Sequence, residues 1–291
     1  MDRPQPDKQT RRRFADLRHG QMHYREAGQG RTILLIHASP GIARQLGGLI
    51  SGLAETCHVV APDTPGNGDS DALDLSHPEV TDLAAAMLEF MDAADLGEVF
   101  VYGSHTGACV AAELAILAPD RVIGIVADGV LNLSDEMLQE YLEQYAHPFP
   151  ADLDGTYLQK AFLFCRDQYV FFPWYKRSAE ARRPGGLGSA KDLKDWVVDV
   201  LKAGETYHLN YRAAFRWKAA ERLRHVKVPL LLVASESDPL LASTREIAGM
   251  VEAAGFADLP PYEQPDFAAR RLATLRSFLD ACPASSTELT S

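Results

Sequence analysis

A histidine stands at the centre of Gly103-Ser104-His105-Thr106-Gly107, between the apolar run Val99-Phe100-Val101-Tyr102 and an Ala-rich segment that begins at Ala108. Glycines two residues to either side let a chain pass from strand to helix so tightly that the middle side chain stands exposed above the strand end. An imidazole there is a base near neutral pH, or a nucleophile whose adduct hydrolyses easily. Ser104 beside it is placed among the substrate contacts, because as the nucleophile it would break the Gly-x-x-x-Gly spacing. His37 closes an apolar run, where a structural hydrogen-bonding role competes with substrate contact. Asp63 and Asp69 sit in a turn-rich stretch and shape it by side-chain to backbone bonds. Asp128 ends another apolar run, at the end of a strand where active sites gather, and is an alternative acid. His208, Tyr211, Arg212 and Phe215 follow at i, i+3, i+4 and i+7 and share a helix face. That face either packs inward or sets an Arg and a His over a pocket, to grip a carboxylate or phenolate. Arg166 and Trp174 carry the same two readings.

The elements that must position these residues alternate. Phe14 to Arg18 and Gln21 to Arg25 flank His19-Gly20 and predict a short antiparallel pair. Residues 32–37 and 57–62 are apolar on both faces, as strands inside a parallel sheet are. A helix is expected over 44–56, and a helical period returns from Pro78 with Val80, Leu83, Met87, Phe90 and Met91 on one face. The segment 107–117 is apolar nearly all round and predicts a buried helix, followed by a strand over 122–128. Between residues 131 and 223 the βα rhythm stops, and helices are expected over 136–145, 158–172, 193–202 and 206–218. The density of aromatic residues there suggests a lid over an apolar pocket. The rhythm resumes with strands at 228–234 and near 255–259 and a closing helix over 266–279. Residues 1–12 and 283–291 are polar and predict loose tails.

Composition narrows the partners. The 291 residues suffice for one large α/β domain with an insertion, divided as a core over 13–130 and 224–282 and a helical cap over 131–223. The net charge of −11 argues against nucleic acid or an anionic membrane as partner and leaves a small molecule, with room for a homodimer. The four cysteines are far apart with no Cys-x-x-Cys pair, so neither a disulfide framework nor a metal site is indicated. No run approaches membrane-spanning length, and a soluble cytoplasmic protein is expected.

In order, His37-Ala38-Ser39-Pro40, Ala61-Pro62-Asp63-Thr64-Pro65-Gly66-Asn67-Gly68-Asp69-Ser70, the Gly103 to Gly107 turn, Glu236-Ser237-Asp238-Pro239-Leu240 and Glu263-Gln264-Pro265 resemble the α/β-hydrolase superfamily of the helical-cap type. The resemblance covers nearly the whole chain and implies a mostly parallel eight-stranded sheet with helices on both faces. It implies an oxyanion hole from the backbone N–H groups of Ser39 and Thr106, and Asp238 at the position of the triad acid. Two positions depart from the family. His105 stands where the nucleophile belongs, and the nine histidines end at His225, so none lies in the loop before the last helix. Counting back from Glu263-Gln264-Pro265 puts Asp258 nearest that vacant position, with Tyr262 and Glu263 as other occupants. Ser-His-Asp acyl transfer is thereby excluded by inventory. The expectation is a hydrolase of an ester, lactone or C–C bond, needing no metal or organic cofactor, in which His105 with Asp238 or Asp258 activates water. A lyase, decarboxylase, isomerase or cyclase in the same pocket is the alternative, and a silent protein that binds an apolar or aromatic ligand the third reading.

Overall fold

The apolar runs assemble into one eight-stranded sheet in a computed structural model that describes residues 9–282. The strands are β1 (Arg11–Leu17), β2 (Gly20–Ala27), β3 (Arg31–Ile36), β4 (Cys57–Pro62), β5 (Val99–Ser104), β6 (Val122–Asp128), β7 (Leu230–Ser235) and β8 (Ala254–Leu259), in the order β1-β2-β4-β3-β5-β6-β7-β8. β2 runs antiparallel to β1 and β4, and every other pairing is parallel. Alternation along β3 serves both faces: Leu34 and Ile36 join the core under α2 (Val80–Ala93) and α3 (Thr106–Leu117), while Ile33 and Leu35 face α1 (Gly47–Leu53) and a C-terminal helix, Phe267–Ala281. Burial on both sides is why these strands read as continuous apolar runs.

Most boundaries shift by one to three residues from expectation, and two of the shifts have a clear cause. β1 begins at Arg11 opposite Glu26, so the tail expected over 1–12 gives its last residues to the sheet, where Arg13 ion-pairs with Glu26 at 2.5 Å. Residues 1–8 and 283–291, the rest of the expected tails, lie outside the described residues. The helix expected over 44–56 opens instead as a 3-10 turn, Ala43–Leu46, and α1 runs only from Gly47 to Leu53. Gly47, Gly48 and Gly52 weaken that segment as a helix, and the Asp63 carboxylate pins its start by accepting the Ala43 N–H at 2.7 Å.

The chain leaves the sheet after β6 and returns at β7 through α4 (Asp135–Gln144), α5 (Thr156–Val170), α6 (Ala190–Lys202), α7 (Tyr207–Arg216) and the short α8 (Ala219–Arg222). Two aromatic clusters hold these helices together, one with Phe149, Phe164 and Tyr207, the other with Tyr141, Tyr145 and Phe215. Polar bonds seat the helices on the loops after β3 and β4: Trp196 Nε1–H donates to the Pro40 carbonyl at 3.0 Å, Thr206 Oγ1 to Gly66 at 2.7 Å and Asn210 Nδ2 to Pro65 at 2.9 Å. At the exit, Arg222 and Trp217 converge on the buried Glu113 of α3. α9 (Leu241–Met250) and α10 (Phe267–Ala281) complete the layers. Among the described residues no helix is long and apolar enough to cross a membrane.

Candidate active site

His105 is the single residue between β5 and α3, with φ 49° and ψ −109°. Left-handed backbone is costly for a side chain with a Cβ, and here its neighbours enforce it. A Cβ on Gly103 would collide with the Gly107 carbonyl, and one on Gly107 would strike the Ile36 carbonyl and lie 2.7 Å from that of His37. Glycine at both positions lets β5, α3 and β3 approach closely enough to force the reversal. Ser104 is the last residue of β5, paired in register with Asp128, and does not occupy the reversal itself.

The imidazole points along the C-terminal edge of the sheet to Asp238, in the loop after β7. Nε2 lies 2.9 Å from Asp238 Oδ2, with the Asp side chain fully buried and about a third (35%) of the His side chain exposed. The Leu240 N–H donates to Asp238 Oδ1 at 2.7 Å, which orients the carboxylate. Tyr262, in the loop after β8, donates its hydroxyl to Asp238 Oδ2. That loop is stitched to the Asp238 loop: Ser235 Oγ donates to the Pro260 carbonyl at 2.8 Å and the Tyr262 N–H to Ser237 Oγ at 2.9 Å. A tyrosine thus fills the place that counting back assigns to Asp258. β8 extends to Leu259, so Asp258 is still in the strand, half-exposed and ion-paired with Arg245 at 2.7 Å.

Burial opposes the charged imidazolium, but the Asp238 charge and hydrogen bond outweigh it and raise the His105 pKa above the ordinary 6.5; Asp128 adds to the rise and Arg183 works against it. Burial likewise opposes the Asp238 carboxylate, yet His105, Tyr262 and the Leu240 N–H hold its pKa down to about 2. Asp128 lies one strand over, its backbone carbonyl accepting the His105 N–H at 2.8 Å and its carboxylate taking the Tyr102 hydroxyl at 2.6 Å. Burial, with the Asp238 charge adding to it, raises the Asp128 pKa despite that bond. Gly129 makes room for the imidazole, since a Cβ there would stand 2.6 Å from His105 Cδ2 and 2.8 Å from Nε2. Gly129→Ala should therefore push the ring off Asp238 and lower turnover by roughly 10²-fold, the cost of about 1 Å of misplacement; because Gly129 has φ 75° the thermal midpoint should also fall, with a cooperative transition showing that the fold forms.

His105 and Asp238 open into a cavity of about 880 Å³ between the sheet edge and the inserted helices, lined also by Ser39, Thr106, Tyr145, Tyr211 and Phe215. Among the described residues no acceptor takes the backbone N–H of Ser39 or Thr106. Of the other expected contacts, Tyr211 is in the cavity wall, its hydroxyl donating to Gln168 Oε1 at 3.1 Å. His37, Ser104, Asp128, Arg166, Trp174, His208 and Arg212 are not in it. Both ring nitrogens of His37 are engaged, Nδ1 with the Ala38 carbonyl and Nε2 with the Thr64 N–H, each at 2.8 Å, and burial lowers its pKa. Arg166 is drawn to the buried Asp167 at 2.6 Å, Trp174 packs in the aromatic core and donates to the Tyr145 carbonyl at 2.9 Å, and Arg212 points to the carbonyls of Leu142 and Ala146. His208 turns to the half-buried far side of α7, where burial, Arg212 and His147 lower its pKa. Arg183 and Tyr262 line the cavity although neither is an expected substrate contact; the run Arg182-Arg183 before Pro184-Gly185-Gly186 is the signal for the former.

A sequence profile of the alpha/beta hydrolase fold matches residues 31–253. The chain belongs to the alpha/beta hydrolase fold family. As a hydrolase-fold protein it is similar, at 25% identity over 76% of its length and 79% of the relative's, to an Azorhizobium caulinodans protein that carries the provisional name carbamate hydrolase RutD. It is 31% identical to the dihydrolipoyllysine-residue acetyltransferase component of the acetoin cleaving system of Cupriavidus necator, over 45% of this chain and 35% of that one. It is also 31% identical to a haloalkane dehalogenase of Mesorhizobium japonicum, over 36% and 34%. The last two matches thus span about a third of those relatives. Epoxide Hydrolase A from Mycobacterium thermoresistibile superposes with a TM-score of 0.71 over 94% of this chain and 99% of its own, at 20% identity, a likeness of fold alone. This hydrolase-fold chain thus holds an imidazole, His105, at the reversal between β5 and α3, a carboxylate, Asp238, in the loop after β7 and a phenol, Tyr262, in the loop after β8.

Proposed function

We propose that the protein is an enzyme that hydrolyses a small, partly aromatic organic molecule at an ester, lactone or C–C bond, without a cofactor, using His105 as general base. The observation that carries this reading is the 2.9 Å contact between His105 Nε2 and the buried Asp238 carboxylate. A proton held on Nε2 by Asp238 leaves Nδ1 as the free base. Water that gives its proton to Nδ1 attacks the substrate carbonyl, and the developing oxyanion lies against the Ser39 and Thr106 N–H groups. The imidazolium then returns the proton to the leaving group. Tyr262 is a positioning residue: its hydroxyl shares Oδ2 with the imidazole and keeps Asp238 aimed at it. The hydrolase name of the Azorhizobium caulinodans relative supports the reaction class.

The pH dependence tests this reading. A base must be unprotonated to act, and the pKa of His105 is raised. Log kcat/KM should therefore climb with unit slope through a midpoint above 6.5 and level off once His105 is neutral. Asp238→Asn removes the charge that raises the midpoint while burial remains, so the limb should move below 6.5 as the plateau falls. A limb that keeps its midpoint in that variant sinks the dyad. Incorporation of labelled oxygen from water into the product separates hydrolysis from lyase or isomerase chemistry at the same base.

A further inference from the structure

The cavity has two arginines in its wall, and they differ in charge balance. Arg44, in the turn after β3, is neutralised by two carboxylates of α6, Asp199 at 2.7 Å and Asp195 at 3.3 Å. Arg183, in the loop before α6, has no carboxylate partner among the described residues. Its backbone N–H donates to the Val170 carbonyl at 2.8 Å and its Nη1 to the Gln168 carbonyl at 2.7 Å, which hold the side chain against the C-terminal turn of α5. A guanidinium has five N–H donors in a planar fork, so most of them remain for something else. His105, the other titratable cation in the wall, is matched by Asp238.

We infer that Arg183 receives a carboxylate of the substrate, which makes the substrate an aromatic or apolar acid whose scissile bond lies over His105. This rests on the hydrolase reading for the scissile bond, and on the cavity alone for the carboxylate. A guanidinium fork matches a planar carboxylate, and partial burial with no internal counter-ion makes an incoming anion worth more than at an exposed site. Tyr145, Tyr211 and Phe215 supply the apolar wall. The wall's own carboxylates do not answer Arg183: Asp195 and Asp199 are drawn to Arg44, Asp238 to His105, and Asp192 to the Ser189 hydroxyl at 2.6 Å. Glu263 stands beside Gly185, beyond ion-pair distance of the guanidinium. The same cation opposes protonation of His105, so an anion seated on it removes that opposition and couples substrate charge to the base. The role that sequence spacing offers to Arg212 falls to Arg183.

Benzoate and its neutral isostere benzamide test this on the full-length protein without turnover. Calorimetry should show benzoate binding to the wild type, weakened roughly 10–10²-fold by Arg183→Gln and less by Arg183→Lys, which keeps charge without the fork. Benzamide should bind wild type and Arg183→Gln alike, and more weakly than benzoate binds wild type. By NMR, benzoate should raise the titration midpoint of His105 in the wild type and leave it in place in Arg183→Gln, with thermal unfolding verifying that both variants fold. The inference is overturned if the wild type does not bind benzoate at millimolar concentration, if Arg183→Gln binds it as tightly, or if benzamide matches it. His105→Gln separates the two readings, because it should lose turnover and keep benzoate. Retained turnover in that variant removes the hydrolase mechanism and leaves the carboxylate site standing.

Discussion

Replacing His105 by Gln should lower kcat/KM by roughly 10²–10⁴-fold, the contribution of a positioned general base, with little change in KM for the same substrate. Glutamine keeps a hydrogen-bond donor toward the buried Asp238 and so avoids stranding a charge whose unpaired burial would cost stability. That choice separates chemistry from folding. Asp238→Asn should cost nearly as much as the base itself, and the double variant little more than either single, because two groups acting as one unit are not additive. If each substitution cost its share independently, His105 and Asp238 would not be a dyad. Steady-state kinetics on the three variants decide it, with urea unfolding as the control on structure.

Gly107→Ala should destabilise the fold by about 3 kcal/mol or more. The sign makes it diagnostic. Alanine is the better residue in a helix interior by about 1 kcal/mol, and Gly107 is the second residue of α3, so propensity alone expects a gain. Against it stands backbone: the new Cβ would strike the Ile36 carbonyl and lie 2.7 Å from the His37 carbonyl, with no flexible side chain to give way. To relieve the clash α3 must retreat from β3, taking with it the Thr106 N–H and the backbone that holds His105 at φ 49°. The urea midpoint should fall, and any folded remainder should have lost turnover. Gly249, near the end of α9, has nothing within 4 Å of a built Cβ. Gly249→Ala is the control and should be neutral or mildly stabilising.

His105 and Gly107 both stand out in the amino-acid pattern. The Gly-x-His-x-Gly spacing identifies the reversal because only small residues let strand and helix meet at that angle, and continuous apolar runs and period-3.6 patterns place the strands and the four helices expected between residues 131 and 223 to within a few residues. The absence of a histidine beyond His225 is equally plain in the chain and excludes the ordinary triad without geometry. Boundaries are harder to read. Counting back points to Asp258 for the vacant position because the length of β8 cannot be read from a strand with weak alternation, and a few more residues of chain put Tyr262 there instead.

The cap shows the other limit. Its helices are legible from their period, yet of the five cap residues Arg166, Trp174, His208, Tyr211 and Arg212, all expected as substrate contacts, only Tyr211 is in the cavity wall. Spacing places His208, Tyr211 and Arg212 on neighbouring parts of one helix surface but cannot say which edge of it turns inward. That is decided by packing: Tyr207 and Phe215 are buried, which rotates Arg212 toward the carbonyls of Leu142 and Ala146 and His208 away from the cavity. Arg183 reaches the site from an irregular loop with no period to read.

The succession of strands and helices along the chain, the reversal at His105 and the impossibility of serine chemistry with a histidine in the last loop are all legible in the residues alone, because each follows from local sterics, hydrophobic patterning or inventory. It takes the folded chain to bring His105 to Asp238 across 133 residues, to set Tyr262 on the same carboxylate oxygen, and to leave Arg183 alone among the wall's cations without a counter-charge among the described residues. Those are relations between separate elements, set by how the sheet edge and the cap helices pack, and no local pattern encodes a distance between two loops.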